Sequence, residues 1–162
     1  MRFLLAVCFL GLSACDLLEG SSPAPGTFTA RVSATDGYSL RGDATVVVDT
    51  FGLDVKMPRT AIHLDGDDGF IAVVINGRLP ETLEGGRYDL VDSSDGTPYI
   101  YVDASPGGFS TLRGTLQITS ATADGIAGSF SAHMRGPASF SNPTVPRAQA
   151  SGKFHATLPS SH

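Results

Sequence analysis

Cysteine, lysine and tryptophan are scarce in this sequence. Its 162 residues include two cysteines and no tryptophan, and its two lysines are Lys56 and Lys153. Charged residues make up 17 % of the chain and hydrophobic residues 41 %, a composition that excludes a disordered polyelectrolyte. The formal net charge of −5 argues against nucleic acid as a partner.

Long segments without glycine or proline are also missing. The chain holds 19 Gly and 10 Pro, and after residue 26 the longest segments free of both are Thr27–Asp36 and Thr115–Asp124. Both segments are rich in Thr, Ser and β-branched residues, which favour strands over helices. A mainly helical fold is therefore excluded. The chain length allows one domain of ordinary size, since typical domains contain roughly 100–150 residues.

The first fifteen residues carry a targeting pattern. Arg2 supplies a short positive segment, and the apolar stretch Phe3–Leu12 is shorter than the ~20 residues that span a bilayer. The tetrapeptide Leu12–Cys15 (LSAC) resembles the lipobox of bacterial lipoprotein precursors. This resemblance implies diacylglyceryl modification of the Cys15 thiol and cleavage after Ala14. The alternative is an ordinary secretory signal in which Cys15 is incidental.

A lipidated Cys15 would anchor the protein without a transmembrane helix. One acyl chain binds a membrane only marginally, at about 0.8 kcal/mol per buried methylene, whereas two or three chains hold stably. Because Cys8 would leave with the signal peptide, the folded domain would contain no thiol, which excludes disulfides and cysteine-ligated metals there. We expect the protein in a bacterial cell envelope, with the choice of membrane left open.

The expected organisation has four parts. Residues 1–14 form the signal peptide, residues 15–26 the lipidated N-terminus and a flexible tether, residues 27–158 a single β-domain, and residues 159–162 a tail. The tether ends in GSSPAPG, whose two prolines favour extended conformations. Its eleven residues after Cys15 would reach about 40 Å at most.

Period-two alternation predicts antiparallel strands with one face toward water. In Thr27–Ser33, apolar Phe28, Ala30 and Val32 alternate with polar residues. The segment Phe70–Ile75 is apolar on both faces, which predicts a central strand that is covered on both sides. The other predicted strands are Tyr38–Val48, which Gly42 is expected to break or bulge, and Thr60–Asp65, Arg87–Val91, Pro98–Asp103, Leu112–Thr119, Ile126–Arg135 and Gly152–Leu158.

Asp-Gly and Asn-Gly dipeptides punctuate these strands and suit tight hairpin turns. They occur at Asp36, Asp65, Asp68, Asn76, Asp95 and Asp124. The predicted fold is all-β, an antiparallel β-sandwich or partly closed barrel of about nine strands with mainly meander connections.

The loop DGDDG faintly resembles a calcium-binding loop. Asp65 and Asp67 occupy the first and third positions of that pattern, but the fifth position is Gly69 and the twelfth is Asn76 instead of a bidentate glutamate. We therefore treat Asp65, Asp67 and Asp68 as weak metal candidates, favour a solvated turn, and expect no cofactor.

Three aromatic residues are weak candidates for ligand binding. Tyr99 and Tyr101 share one face of a strand, where they form a stacking platform for a sugar or peptide or else pack in the core. The absence of tryptophan weakens the sugar hypothesis, and core packing is favoured. Phe140 is the exposed apolar candidate in the proline-rich segment Gly136–Ser151, which has the length of a functional loop.

No pattern predicts catalysis. His63, His133 and His155 fall on the face predicted to meet solvent and lack a compact metal-ligand spacing. No Gly-x-Ser-x-Gly nucleophile motif is present, and we expect no enzymatic activity.

The second half of the chain resembles small bacterial envelope lipoproteins with a β-sandwich domain. The resemblance is one of layout and is carried by Gly114-Thr115-Leu116, Gly128-Ser129-Phe130 and Gly152-Lys153-Phe154. It implies a lipid-anchored, non-catalytic interaction or structural module, attached to the membrane through acyl chains on Cys15 and able to meet an envelope protein partner. The alternatives are a binding protein for an apolar or glycan ligand and an envelope hydrolase.

Overall fold

The computed structural model describes residues 21–33, 37–49, 59–76, 83–92, 94, 98–104, 107–136 and 146–158. Within these residues the chain forms nine strands and no helix. The strands are β1 (Thr27–Ser33), β2 (Tyr38–Asp49), β3 (Arg59–Gly66), β4 (Gly69–Asn76), β5 (Gly86–Leu90), β6 (Tyr99–Ala104), β7 (Gly107–Thr122), β8 (Gly125–Arg135) and β9 (Arg147–Thr157). The all-β prediction is confirmed.

Eight of the strands close into a barrel. Going around it, the order is β1, β2, β3, β4, β6, β7, β8 and β9, and β9 pairs with β1 to complete the ring. Each neighbouring pair in the ring is antiparallel, which confirms the predicted meander. The ninth strand, β5, lies outside the ring beside β7. The architecture is thus a barrel and not a sandwich of two sheets.

Strand β7 changes partner along one of its edges. Its residues 107–110 pair with β6 and its residues 114–118 pair with β5, while its other edge pairs with β8. The register with β8 shifts between Thr111 and Arg113. This irregularity turns Thr111 into the core and leaves Leu112 half-buried, so the period-two alternation that predicted the strand Leu112–Thr119, with Leu112 on the same face as Leu116, is wrong at Leu112.

Large and small residues alternate around the inside of the barrel. Phe28 and Phe154 lie opposite each other on β1 and β9, and each also faces a glycine, Gly42 or Gly128. Both phenylalanines are 1 % exposed. Such alternation lets eight strands fill a narrow interior with side chains.

Gly42 has a packing role instead of a strand-breaking one. Strand β2 passes through it without a register shift toward β1 or β3. A Cβ atom added at this position would collide with the carbonyl oxygen of Asp65. The prediction of a break or bulge at Gly42 is therefore wrong, because this glycine serves a close approach between backbones.

Strand β4 is buried on both faces, as predicted. Ile71, Val73 and Ile75 belong to the main core. On the outer side, Ala72 and Val74 form a second, smaller cluster with Ala61, against which Phe70 and Tyr99 pack.

Candidate functional site

The barrel interior is occupied by apolar side chains. The largest of the fully buried ones come from strands all around the ring and include Ile62, Ile71, Ile100, Leu116 and Ile126. Among the described residues, the buried polar side chains are those of Thr60 and Thr111, and neither carries a charge. Among the described residues, the charged side chains that could contact a ligand therefore lie on the outer surface.

One side of the barrel is cationic. We use the name cationic face for the outer surface of β1, β7, β8 and β9. No Asp or Glu occurs within these four strands. Their outward basic side chains are those of Arg31, Arg113, Arg135, Arg147 and Lys153.

A polar row crosses the cationic face from strand to strand. Arg113 on β7 is opposite His133 on β8, His133 is opposite Gln149 on β9, and Gln149 is opposite Ser33 on β1. All four side chains are exposed. Neighbouring strands are about 4.8 Å apart, so adjacent members of the row can contact one ligand together.

The row lines an open groove of about 750 Å³. Arg147 adds a second guanidinium group to it, two positions along β9 from Gln149. Leu112 contributes to the same groove because the irregularity in β7 turns it away from the core. The groove therefore combines two arginines, a histidine, an amide and a hydroxyl, a set of donors suited to an anionic group.

One arginine of the cationic face is neutralised. A guanidinium nitrogen of Arg135 lies 2.8 Å from one carboxylate oxygen of Asp92 and donates a hydrogen bond of 3.0 Å to the other. Ser94 donates to Asp92 through its backbone N–H and its hydroxyl. Hydrogen bonds from Ser94, followed by the charge of Arg135, lower the pKa of Asp92. Arg31, Arg113 and Arg147, by contrast, form no ion pair with any residue that the structure describes.

Tyr99 and Tyr101 point away from the core. Ile100 and Val102, which alternate with them, are completely buried, whereas Tyr101 is 36 % exposed. The favoured interpretation of the two tyrosines as core residues is therefore wrong. They lie on β6, which is opposite β1 in the ring but pairs with β7, where Tyr101 is opposite Ser110.

Aromatic rings form a strip on this side of the barrel. We use the name aromatic strip for His63, Phe70, Tyr99 and Tyr101 on β3, β4 and β6. The ring centroids of His63 and Phe70 are 6.2 Å apart, and those of Phe70 and Tyr101 are 6.0 Å apart. These separations are within the range of favourable aromatic pairs.

Carboxylates flank the aromatic strip. Asp43, Asp65 and Asp103 are exposed, and strand register places Phe70 between Asp65 and Asp103. Asp67 and Asp68 form the two-residue turn between β3 and β4 and are exposed too. Among the described residues, no group of three or more His, Cys, Asp or Glu side chains is arranged to hold a metal ion.

The two histidines His133 and His155 do not form a common site. His133 and His155 are on adjacent strands, but His133 is opposite Gln149 whereas His155 is opposite Ala127, so they do not meet. Cys15 and Phe140 lie outside the described residues.

The cationic face was missed at the sequence level, although a signal for it exists. Of the sixteen acidic residues, only Asp124 follows Asp103 in the chain. Strands β7, β8 and β9 all come from that final part, so the segregation of charge along the sequence becomes segregation between two sides of the barrel.

Comparison with known proteins gives no relative for this chain. No protein-family model matches it, and no curated protein or solved structure is significantly similar to it. The part of the chain described by the structure contains no helix that could cross a membrane.

Proposed function

We propose that this protein is a lipid-anchored, non-catalytic module of the bacterial cell envelope that meets its partners through the outer surface of a β-barrel. The sequence support for the anchor is the lipobox-like segment that ends at Cys15. The tether after Cys15 would leave the barrel within about 40 Å of the lipid surface.

The filled interior carries the non-catalytic part of the proposal. Eight-stranded barrels either hold a small ligand inside or fill their interior with side chains. Here the core cluster draws on all nine strands, and Phe28, Phe154 and Ile100 are each at most 1 % exposed. A partner would therefore meet side chains that project outward, where the charged and aromatic groups are gathered.

Replacement of Cys15 tests the anchor. We expect Cys15→Ser to abolish acylation of the N-terminal peptide, measured by mass spectrometry, and to remove the protein from the detergent phase of a phase-partitioning assay. Cys8→Ser is the matched control, because it removes the other cysteine of the chain and leaves the lipobox-like segment intact. An unmodified N-terminal peptide in the native protein would contradict the proposal.

A second candidate function is binding of a glycan or peptide at the aromatic strip. The outward orientation of Tyr101 favours it, since an exposed aromatic ring beside the carboxylate of Asp103 offers both stacking and hydrogen bonding. We expect Tyr101→Ala to abolish such binding in a glycan or peptide array, whereas Arg113→Ala on the cationic face leaves it unchanged.

A further inference from the structure

We propose that the cationic face binds the anionic phospholipid headgroups of the membrane in which the protein is anchored. The inference rests on the proposed function for the choice of membrane and for the argument from the path of the chain. The face itself is a property of β1, β7, β8 and β9.

The distribution of charge is the first argument. The four strands of the cationic face carry five outward basic side chains and no carboxylate, although Arg135 is paired with Asp92 and the exposed Asp89 on β5 is opposite Thr115 of β7. In the other half of the ring, Asp43, Asp65 and Asp103 face outward together with the Asp67-Asp68 turn, with Asp65 on β3 directly opposite β8 in the ring. An anionic bilayer attracts the first side and repels the second, so it orients the barrel even though the whole chain has a net charge of −5.

The form of the face is the second argument. Between the basic residues, its outward positions are filled mostly by small polar side chains such as those of Thr29, Ser129, Ser131 and Ser151. These small side chains leave the basic groups unobstructed toward lipid headgroups. The groove beside Arg113 and Arg147 can receive a phosphate group, which guanidinium groups bind with paired hydrogen bonds.

The path of the chain is the third argument. Strand β1 is one of the four strands of the cationic face, and the tether enters it at Thr27. Gly26 is held at that end of the barrel, because its N–H donates to the carbonyl of His155 and its carbonyl accepts from Ala44. The anchor is therefore attached to a strand of the cationic face, at the end away from the groove, and the segment of eleven residues before Thr27 is long enough to let this face reach the bilayer.

The experiment measures which side of the acylated protein touches the bilayer. The described strands contain no cysteine, so Ser131→Cys on β8 and Asp65→Cys on β3, the strand opposite β8 in the ring, can each carry one fluorophore. The acylated protein is placed in vesicles of phosphatidylcholine, with or without phosphatidylglycerol, that contain a quencher-labelled lipid. We expect phosphatidylglycerol to increase quenching at position 131 and not at position 65. In 1 M salt, where the Debye length is about 3 Å, the difference should disappear.

Charge reversal identifies the residues. Each basic side chain near an anionic surface contributes about a fivefold preference for the docked orientation, so Arg113→Glu with Arg147→Glu should lower the ratio of docked to undocked protein at least about 25-fold. Arg59→Glu on β3, the strand opposite β8 in the ring, reverses one charge and is the control for the single variant Arg113→Glu. The Arg59→Glu variant should leave the quenching unchanged. If the glutamate variant unfolds, the variant with Arg113→Gln and Arg147→Gln is used instead, and the quenching at position 131 is measured on it.

Three results would overturn the proposal. Equal quenching at position 131 in the two vesicle types shows that the face does not recognise anionic lipid. Quenching that depends on protein density assigns the face to a second copy of the chain. Binding of a soluble anionic polysaccharide without any response to phosphatidylglycerol assigns it to a polymer.

The experiment also distinguishes a missing lipid anchor from a cationic face that does not bind anionic lipid. A native N-terminal peptide without acyl groups contradicts the proposed function alone. Co-sedimentation of that same protein with the two vesicle types then decides the cationic face: pelleting only with phosphatidylglycerol supports it, and no pelleting overturns it.

Discussion

The hydroxyl group of Thr111 makes two hydrogen bonds with the backbone of Ile100. It accepts from the Ile100 N–H at 2.7 Å and donates to the Ile100 carbonyl at 2.9 Å. These bonds form where β7 leaves β6, one position beyond the last backbone pair, Tyr101 with Ser110. A buried side chain thus satisfies two backbone groups at the point where the sheet changes partner.

Replacement of Thr111 should therefore be costly. Thr111→Val keeps the shape of the side chain but leaves the buried N–H and carbonyl of Ile100 without their partner, so we expect the free energy of unfolding to fall by about 1–3 kcal/mol. Chemical denaturation monitored by circular dichroism measures the change. Thr111→Ser retains the hydroxyl and is expected to lose less. Equal losses in the two variants would show that methyl packing matters more than the hydrogen bonds.

Gly152 is expected to tolerate no side chain. A Cβ atom there would come within 2.8 Å of the Phe130 ring and of the carbonyl oxygen of Thr29. We predict that Gly152→Ala lowers the free energy of unfolding by about 1–3 kcal/mol through overpacking. Gly85→Ala is the control, since its added Cβ would meet its nearest neighbour, the carbonyl oxygen of Ile118, at an ordinary 3.6 Å. Comparable losses at the two positions would contradict the packing argument.

The pair of Asp92 and Arg135 should withstand moderate acid. Because the pKa of Asp92 is lowered from its ordinary value of 3.8, its contribution to stability is fully present above that pH. The contribution is lost only as the pH falls through the lower pKa of the folded state. Carboxyl-carbon NMR of the folded protein checks the direction. Ser94→Ala removes the hydroxyl donor and is expected to raise the pKa of Asp92, whereas no change would show that Ser94 acts through its backbone N–H alone.

Phe70 and Tyr101 should be energetically coupled. Their ring centroids are 6.0 Å apart, and aromatic pairs at such distances contribute about 0.5–1.5 kcal/mol beyond burial. A double-mutant cycle with Phe70→Leu and Tyr101→Leu, measured by denaturation, should give a coupling energy in this range. Additive losses would mean that the two rings act independently.

The pattern of apolar and polar residues along the sequence predicted much of the barrel wall. Period-two alternation correctly placed Phe28, Ala30 and Val32 in the core, and the run of apolar residues in β4 correctly indicated a strand buried on both faces. Alternation works because successive side chains of a strand point to opposite faces, whatever its neighbours are. It fails at Leu112, where a register shift changes the face, and at Tyr99 to Val102, where both faces are apolar or aromatic.

The amino-acid sequence by itself therefore determined the all-β class, the meander and the inward side of its regularly alternating strands, because these follow from short-range geometry. Only the tertiary structure decided that β9 pairs with β1, that β5 lies beside β7 and that the tyrosines face outward. Those choices depend on contacts between distant residues, such as Phe28 with Phe154. The cationic face has the same origin, since its basic residues meet only when the ring closes.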